Sequence, residues 1–237
     1  VDNPDYHGLT AWEKIEKGGK TELRVEKEHG LFPENPHYLV MEILEEGEDT
    51  GVCNHGFHPG IFYEKGACYN FSCYARKERG DCDRLVISLR SRTGDIYTSQ
   101  AIDITDKWEK YQLTFRAPFD DRQGRLAVTA KGSGCVELDF VSLFPAHTYK
   151  NRKNGLRRDL VQLLEEMHPK FLRFPGGCLV HGGSLHVGDR DSLYRWKNTI
   201  GPVENRPSCR NNWGYNQTMG LGYYEYFLLC EDLGAKP

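Results

Sequence analysis

The stretch Asn154-Gly155-Leu156-Arg157-Arg158-Asp159-Leu160-Val161-Gln162-Leu163-Leu164-Glu165-Glu166-Met167-His168-Pro169-Lys170-Phe171-Leu172-Arg173-Phe174-Pro175-Gly176-Gly177 decides the fold. Leu156, Leu160, Leu163, Leu164 and Met167 recur in steps of three and four, the stripe of an amphipathic helix. Asn154 stands where an N-cap is expected, and Pro169 stops the helix after Met167. Lys170 to Phe174 then reads as a short apolar strand closed by Pro175-Gly176-Gly177. Helix followed by strand is the grammar of a β/α repeat with a parallel sheet.

Downstream, some 45 residues from Phe174 to about Gly220 carry no convincing element of their own. Connections in β/α units usually run ~2–6 residues, so a loop this long is either functional or disordered. Its content argues against disorder, because Tyr194, Trp196, Trp213 and Tyr215 sit among Arg190, Arg195, Lys197 and Arg210. In a β/α barrel the loops after the strands build the active-site face. Aromatic faces with polar neighbours suit a sugar site, and they equally suit packing of the loop onto a barrel. Composition alone leaves both readings open. A second helical pattern runs through Leu221, Tyr224, Phe227, Leu228 and Leu233 to Gly234, a natural C-cap.

Upstream the period changes near Thr148. Thr21 to Glu26 and Arg84 to Arg90 alternate polar and apolar, and Tyr38–Leu44, Ala67–Arg76, Ile96–Ile104, Glu109–Arg116, Arg125–Ala130 and Cys135–Phe144 are strand-like. Glu64-Lys65-Gly66, Thr93-Gly94-Asp95, Asp120 to Gly124 and Lys131 to Gly134 supply turns between them. About eight short strands with no helical stretch among them predict an antiparallel β-sandwich of jelly-roll type. The expected organisation is therefore a sandwich over residues 1–145, then a helix, a strand, the long loop and a second helix over 146–237, part of a β/α repeat.

A net charge of −3 with both signs interspersed gives no basic stripe for nucleic acid. No apolar run approaches the ~20 residues of a membrane span. Eight cysteines include no C-x-x-C pair of the kind zinc sites use, and their spacings show no evident disulfide pattern. Several lie in apolar runs, which favours buried free thiols.

The motifs then become specific. Lys170 to Cys178 resembles the strand and turn of glycoside hydrolase family 51, the α-L-arabinofuranosidases, and Arg195-Trp196-Lys197-Asn198-Thr199-Ile200-Gly201-Pro202-Val203-Glu204 resembles the loop that follows. Trp213 to Gln217, Gly220 to Phe227 and Cys230 to Pro237 continue in the same order, with Ser142 to Pro145 and Asn154 to Leu160 upstream. Residues 1–140 resemble, more loosely, the carbohydrate-binding-module-like sandwich inserted in one branch of that family.

The resemblance implies a retaining mechanism, in which one carboxylic acid protonates the leaving oxygen and a second carboxylate ~5–5.5 Å away attacks the anomeric carbon. It implies that residues 146–237 are a partial (β/α)8 TIM barrel comprising helix 1, strand 2, the long loop and helix 2. It places the family's first barrel strand before Val1 and both catalytic glutamates beyond Pro237; the expectation is that the strand partners of Lys170–Phe174 fall outside the chain, that no catalytic residue lies in this chain and that the chain alone is inactive. It implies no metal and no cofactor. The implied partner is an arabinose-containing plant polysaccharide or oligosaccharide, with an oligomer open for the whole enzyme. The expected substrate contacts are Cys178, Trp196 as a wall, and Arg173 and Asn198 at the floor. Arg173 alternatively sits in an ion pair at the strand end. Glu204, Glu225, Asp189 and Asp191 read as solvated or structural carboxylates, and His181 as a loop residue. The compartment is open, leaning extracellular or periplasmic, with the cytoplasm as the alternative. A rival reading makes the sandwich a glycan binder, with Trp12, Tyr63, Tyr74, Tyr97 and Trp108 as platforms or as core.

Overall fold

The computed structural model describes residues 8–56, 60–211 and 213–237; the side chains of Arg190 and Asp191, named above among the loop charges, lie outside the described ones. Residues 9–31 and 37–155 make one compact unit, while 32–36 and 156–237 belong to another.

The larger unit is built from β1 (Trp12–Lys17), β2 (Lys20–Glu26), β3 (Tyr38–Glu45), β4 (Asp49–Asn54), β5 (Ile61–Tyr63), β6 (Cys68–Gly80), β7 (Arg84–Arg90), β8 (Ile96–Asp103), β9 (Glu109–Arg116), β10 (Asp121–Lys131) and β11 (Gly134–Pro145). One sheet runs β1-β4-β10-β7-β8 with β5 on β10, and the other runs β2-β3-β11-β6-β9. All their pairings are antiparallel. Along β6 the inward Tyr69, Phe71, Cys73 and Ala75 alternate with more exposed neighbours, the period-two pattern of a sheet with one buried face. They share a core with Leu85, Ile87 and Leu89 of β7 and Leu126, Val128 and Ala130 of β10. Burying each of the larger side chains contributes about 1.5–3 kcal/mol. No helix interrupts residues 60–140 among those described.

Three strands lie outside the eight expected. β1 reads WEKIEK, with one aliphatic residue, because it is an edge strand. β4 reads DTGVCN, whose Asp49, Gly51 and Asn54 resemble a turn. β5 has three residues, too few for a period. The cysteines are free, yet only Cys73, Cys82, Cys135 and Cys230 are buried; Cys68 and Cys178 are exposed, contrary to a uniformly buried set.

In the smaller unit α1 (Arg158–Glu166) starts four residues after the expected cap. Asn154 has φ 51° and belongs to a turn in which Gly155 N–H donates to Arg152 O. Of α1 only Val161 is buried, while Leu160, Leu163 and Met167 are exposed. The expected strand Lys170–Phe174 is a single parallel bridge between Phe171 and Lys236. Leu172 N–H donates to Lys236 O at 2.9 Å, and Lys236 N–H to Lys170 O at 3.0 Å. The strand therefore has a neighbour within this chain, which corrects the expectation that its partners lie wholly outside. No closed barrel exists among the described residues; the parallel pairing there is this one bridge. The last helix, Tyr223–Leu233, ends at Gly234 with φ 65°, as Gly234 predicts.

Candidate functional site

The long loop is assembled from short turns. After Pro175 come α2 (Gly177–Val180), 3-10 turns at Val187–Ser192, Trp196–Thr199 and Val203–Asn205, and a two-residue ladder of β12 (Cys209–Arg210) with β13 (Asn216–Gln217). We number the terminal helix Tyr223–Leu233 α3.

Trp196 opens its 3-10 turn with half its surface exposed and leans on Tyr223 of α3, ring centroids 6.3 Å apart. Beneath, Phe174 stacks on Tyr226 at 4.5 Å and meets Tyr223 and Phe227 edge-on. Thr199, wholly buried, donates from Oγ1 to Trp196 O at 2.8 Å and accepts Tyr223 N–H at 3.0 Å, which ties the Trp196 turn to the first residue of α3. The approach is close enough that a Cβ at Gly222 would lie 1.9 Å from Thr199 O, so only glycine fits there. Lys197 Nζ lies 6.0 Å from the Trp196 ring centroid, within reach of a cation–π contact.

Arg206 locks this arrangement. Its guanidinium donates to Gly201 O, to Met219 O at 2.8 Å and to both oxygens of Glu225. Glu225 also accepts Gly222 N–H at 2.8 Å, the acidic half of a capping box. Burial pushes the Glu225 carboxyl up, but the Arg206 and Gly222 donors outweigh it and hold it below the usual range. Such a carboxylate stays ionised near neutrality and is unsuited to general-acid work.

Cys178, in α2, is exposed and lines a small depression with Leu179, Tyr194, Cys209, Arg210 and Asn211. Burial pushes the Tyr194 phenol up to about 12 and the Cys209 thiol upward. Asn211 accepts the N–H groups of Trp213 and Tyr215 on Oδ1, while its buried Nδ2 has no hydrogen-bond partner among the described residues. Trp213 and Tyr215 are thereby held stacked at 6.3 Å.

The expected contacts thus fall in two places, with Cys178 at the depression and Trp196 on the α3 aromatic cluster. Asn198 is half-buried in the Trp196 turn, its N–H donating to Arg195 O. Arg173 is exposed, and no ion pair is recorded for it among the described residues. His181, just after α2, is exposed. Arg206 and Asn211 escaped sequence reasoning. For Arg206 the available signal was the Gly222-to-Glu225 spacing of a helix cap, which marks Glu225 as a structural acid in need of a partner. No group of three or more His, Cys, Asp or Glu side chains that could hold a metal is found among the described residues.

Residues 163–237 match the family described as α-L-arabinofuranosidase 1 domain. The whole chain aligns, 41% identical, with 28% of an extracellular exo-α-L-arabinofuranosidase of Streptomyces chartreusis. With α-L-arabinofuranosidase 1 of Arabidopsis thaliana it is 35% identical, over 87% of this chain and 30% of the relative. Its fold matches that of an arabinose-bound family 51 α-L-arabinofuranosidase, MgGH51, with TM-score 0.84 and 29% identity over 97% of this chain and 37% of that one. The chain belongs to glycoside hydrolase family 51. This family 51 segment spans under a third of the length of the two curated relatives named here.

Proposed function

We propose that this family 51 chain is part of a retaining α-L-arabinofuranosidase that removes terminal non-reducing α-L-arabinofuranosyl residues from plant arabinan or arabinoxylan. The observation that carries the reading is the end-to-end alignment, at 41% identity, with an exo-α-L-arabinofuranosidase. In this reading residues 146–237 supply the opening of a (β/α)8 barrel, and residues 1–145 form the sandwich insert. The Phe171–Lys236 bridge supports the first assignment, since parallel pairing is what barrel strands make. Cys178, Trp196, Arg173 and Asn198 contribute to the sugar pocket, and the acid/base and nucleophilic carboxylates come from the rest of the protein. The relative from Streptomyces chartreusis, named as extracellular, supports an extracellular setting.

The test is Trp196→Ala in the full-length enzyme. Trp196 is 51% exposed, so its loss should cost well under the ~3–5 kcal/mol of a buried tryptophan, while kcat/KM for an aryl arabinofuranoside should fall. A large drop in Tm with normal kinetics would make Trp196 a packing residue. Nitrophenol release from the same reporter by the purified 237-residue chain would place a working carboxylate pair inside it and overturn the assignment of catalysis elsewhere.

A further inference from the structure

The two places where the expected contacts fall are joined by a buried hydroxyl. Thr199 closes the Trp196–Thr199 turn and is wholly buried. Its Oγ1 donates to Trp196 O at 2.8 Å and accepts Tyr223 N–H at 3.0 Å. It also hydrogen-bonds the Tyr194 phenol, which burial keeps protonated up to about 12. Because the Thr199 proton is committed to Trp196 O, the phenol is the donor in that bond. A hydroxyl offers one proton and two lone pairs, so the Thr199 oxygen is used to capacity. Leaving any of its partners buried and unpaired is costly, so the four residues hold a common arrangement.

Each bond leads to a different piece of the loop. Trp196 is the half-exposed aromatic that leans on Tyr223. Tyr194 lines the depression that also contains Cys178, Cys209 and Asn211. Tyr223 opens α3, and its ring meets Phe174 edge-on at 5.3 Å. The packing leaves no slack, since a Cβ at Gly222 would lie 2.8 Å from Thr199 Cβ as well as 1.9 Å from Thr199 O. A displacement of Thr199 therefore carries both Trp196 and Tyr194 with it. We infer that Thr199 is a positioning residue, whose hydroxyl couples the Trp196 wall to the Tyr194 side of the Cys178 depression so that the two are set together. The coupling rests on this geometry alone; that the coupled groups bind arabinose rests on the function proposed above. Valine keeps the shape of threonine without the hydroxyl, and serine keeps the hydroxyl without the methyl, which separates bonding from packing.

The test compares Thr199→Val, Thr199→Ser and Tyr194→Phe. In the full-length enzyme Thr199→Val should raise KM for an aryl arabinofuranoside about tenfold, with kcat changed less than about threefold, because it moves a binding wall and not the carboxylates. Thr199→Ser should restore both constants. The readout apart from activity is maleimide labelling of Cys178, followed by peptide mapping, in the 237-residue chain, where that thiol is exposed. Its rate should change in Thr199→Val and in Tyr194→Phe, and should match the wild type in Thr199→Ser. Tyr194→Phe removes one bond and leaves Thr199 in place, so it reports even where Thr199→Val does not fold. Wild-type labelling in Thr199→Val and Tyr194→Phe would overturn the inference. So would a loss in Thr199→Val confined to Tm and kcat, as a smaller folded fraction gives. Trp196→Ala separates the two readings. If it lowers kcat/KM while Thr199→Val does not, the proposed function stands and the coupling falls. If labelling moves in Thr199→Val while neither variant alters the kinetics, the coupling stands and the sugar role of Trp196 falls.

Discussion

Arg206 and Glu225, nineteen positions apart, are joined by two hydrogen bonds of 2.9 and 2.8 Å, and the arginine side chain is 2% exposed. That pair joins the middle of the long loop to the first turn of α3. Removing one partner of a buried pair costs about 3–5 kcal/mol, because the other is left uncompensated. Arg206→Ala should therefore speed amide exchange across residues 199–222 and lower the Tm of the full-length enzyme, with Arg206→Lys intermediate because it keeps the charge but loses the fork. An unchanged exchange pattern in Arg206→Ala would show that the loop is held by other contacts.

Gly222 should behave like a residue of the site although its role is spacing. With Thr199 O 1.9 Å from where a Cβ would stand, Gly222→Ala must push the Trp196 turn away from α3. The expected result in the full-length enzyme is a loss of kcat/KM comparable to that of Trp196→Ala. Wild-type kinetics would show that the position of the Trp196 turn does not matter to turnover.

Asp139 makes the sandwich sensitive to pH. Its Oδ2 is buried with no hydrogen-bond partner among the described residues, Oδ1 accepts Phe140 N–H at 2.7 Å, and burial pushes its carboxyl up to about 7. In the unfolded chain an aspartate titrates near ~3.9. Between those values the folded protein keeps a proton that the unfolded chain releases, so stability falls as pH rises through about 4–7 and is level above. The loss is on the order of a few kcal/mol. Asp139→Asn should flatten this slope, as read from urea midpoints at pH 5 and pH 8; parallel curves for the two proteins would refute the assignment.

The outer face of α1 should drive association of the 237-residue chain. Leu163 is 58% and Met167 74% exposed, with Leu160 beside them. Exposed apolar patches of this kind favour self-contact. Replacing all three by glutamine should reduce light scattering on concentration without lowering the thermal transition of the sandwich. Scattering that persists in the triple variant would assign association to another surface.

How much was legible depended on whether each signal was local. The β7 sequence RLVISLR announces its alternation within seven residues, and α3 carries its own stop at Gly234. β4 was illegible because Asp49, Gly51 and Asn54 look like a turn; it becomes a strand through partners in β1 and β10, distant in the chain. The same holds at the site. Trp196 is visible as an aromatic in a charged loop, whereas Arg206, between Asn205 and Pro207, has no local mark. Its burial is created by Gly201, Met219 and Glu225 converging from separate segments.

The parallel bridge of Phe171 with Lys236 has a kinetic consequence. The two residues are 236 − 171 = 65 positions apart, and the bridge brings them together with two hydrogen bonds. Closing a loop of that size costs about 3–4 kcal/mol by the logarithmic rule, more than two such bonds return. The bridge thus cannot nucleate its own unit. Short-range pieces must come first, meaning α1, α3 and the turns fastened by Thr199 and Arg206, and the strand pairing then registers late on a surface they have already brought close. In the language of contact order, this parallel pairing waits on a long-range encounter, as the β3–β11 and β6–β11 pairings of the sandwich do, whereas the β12–β13 ladder closes from near neighbours.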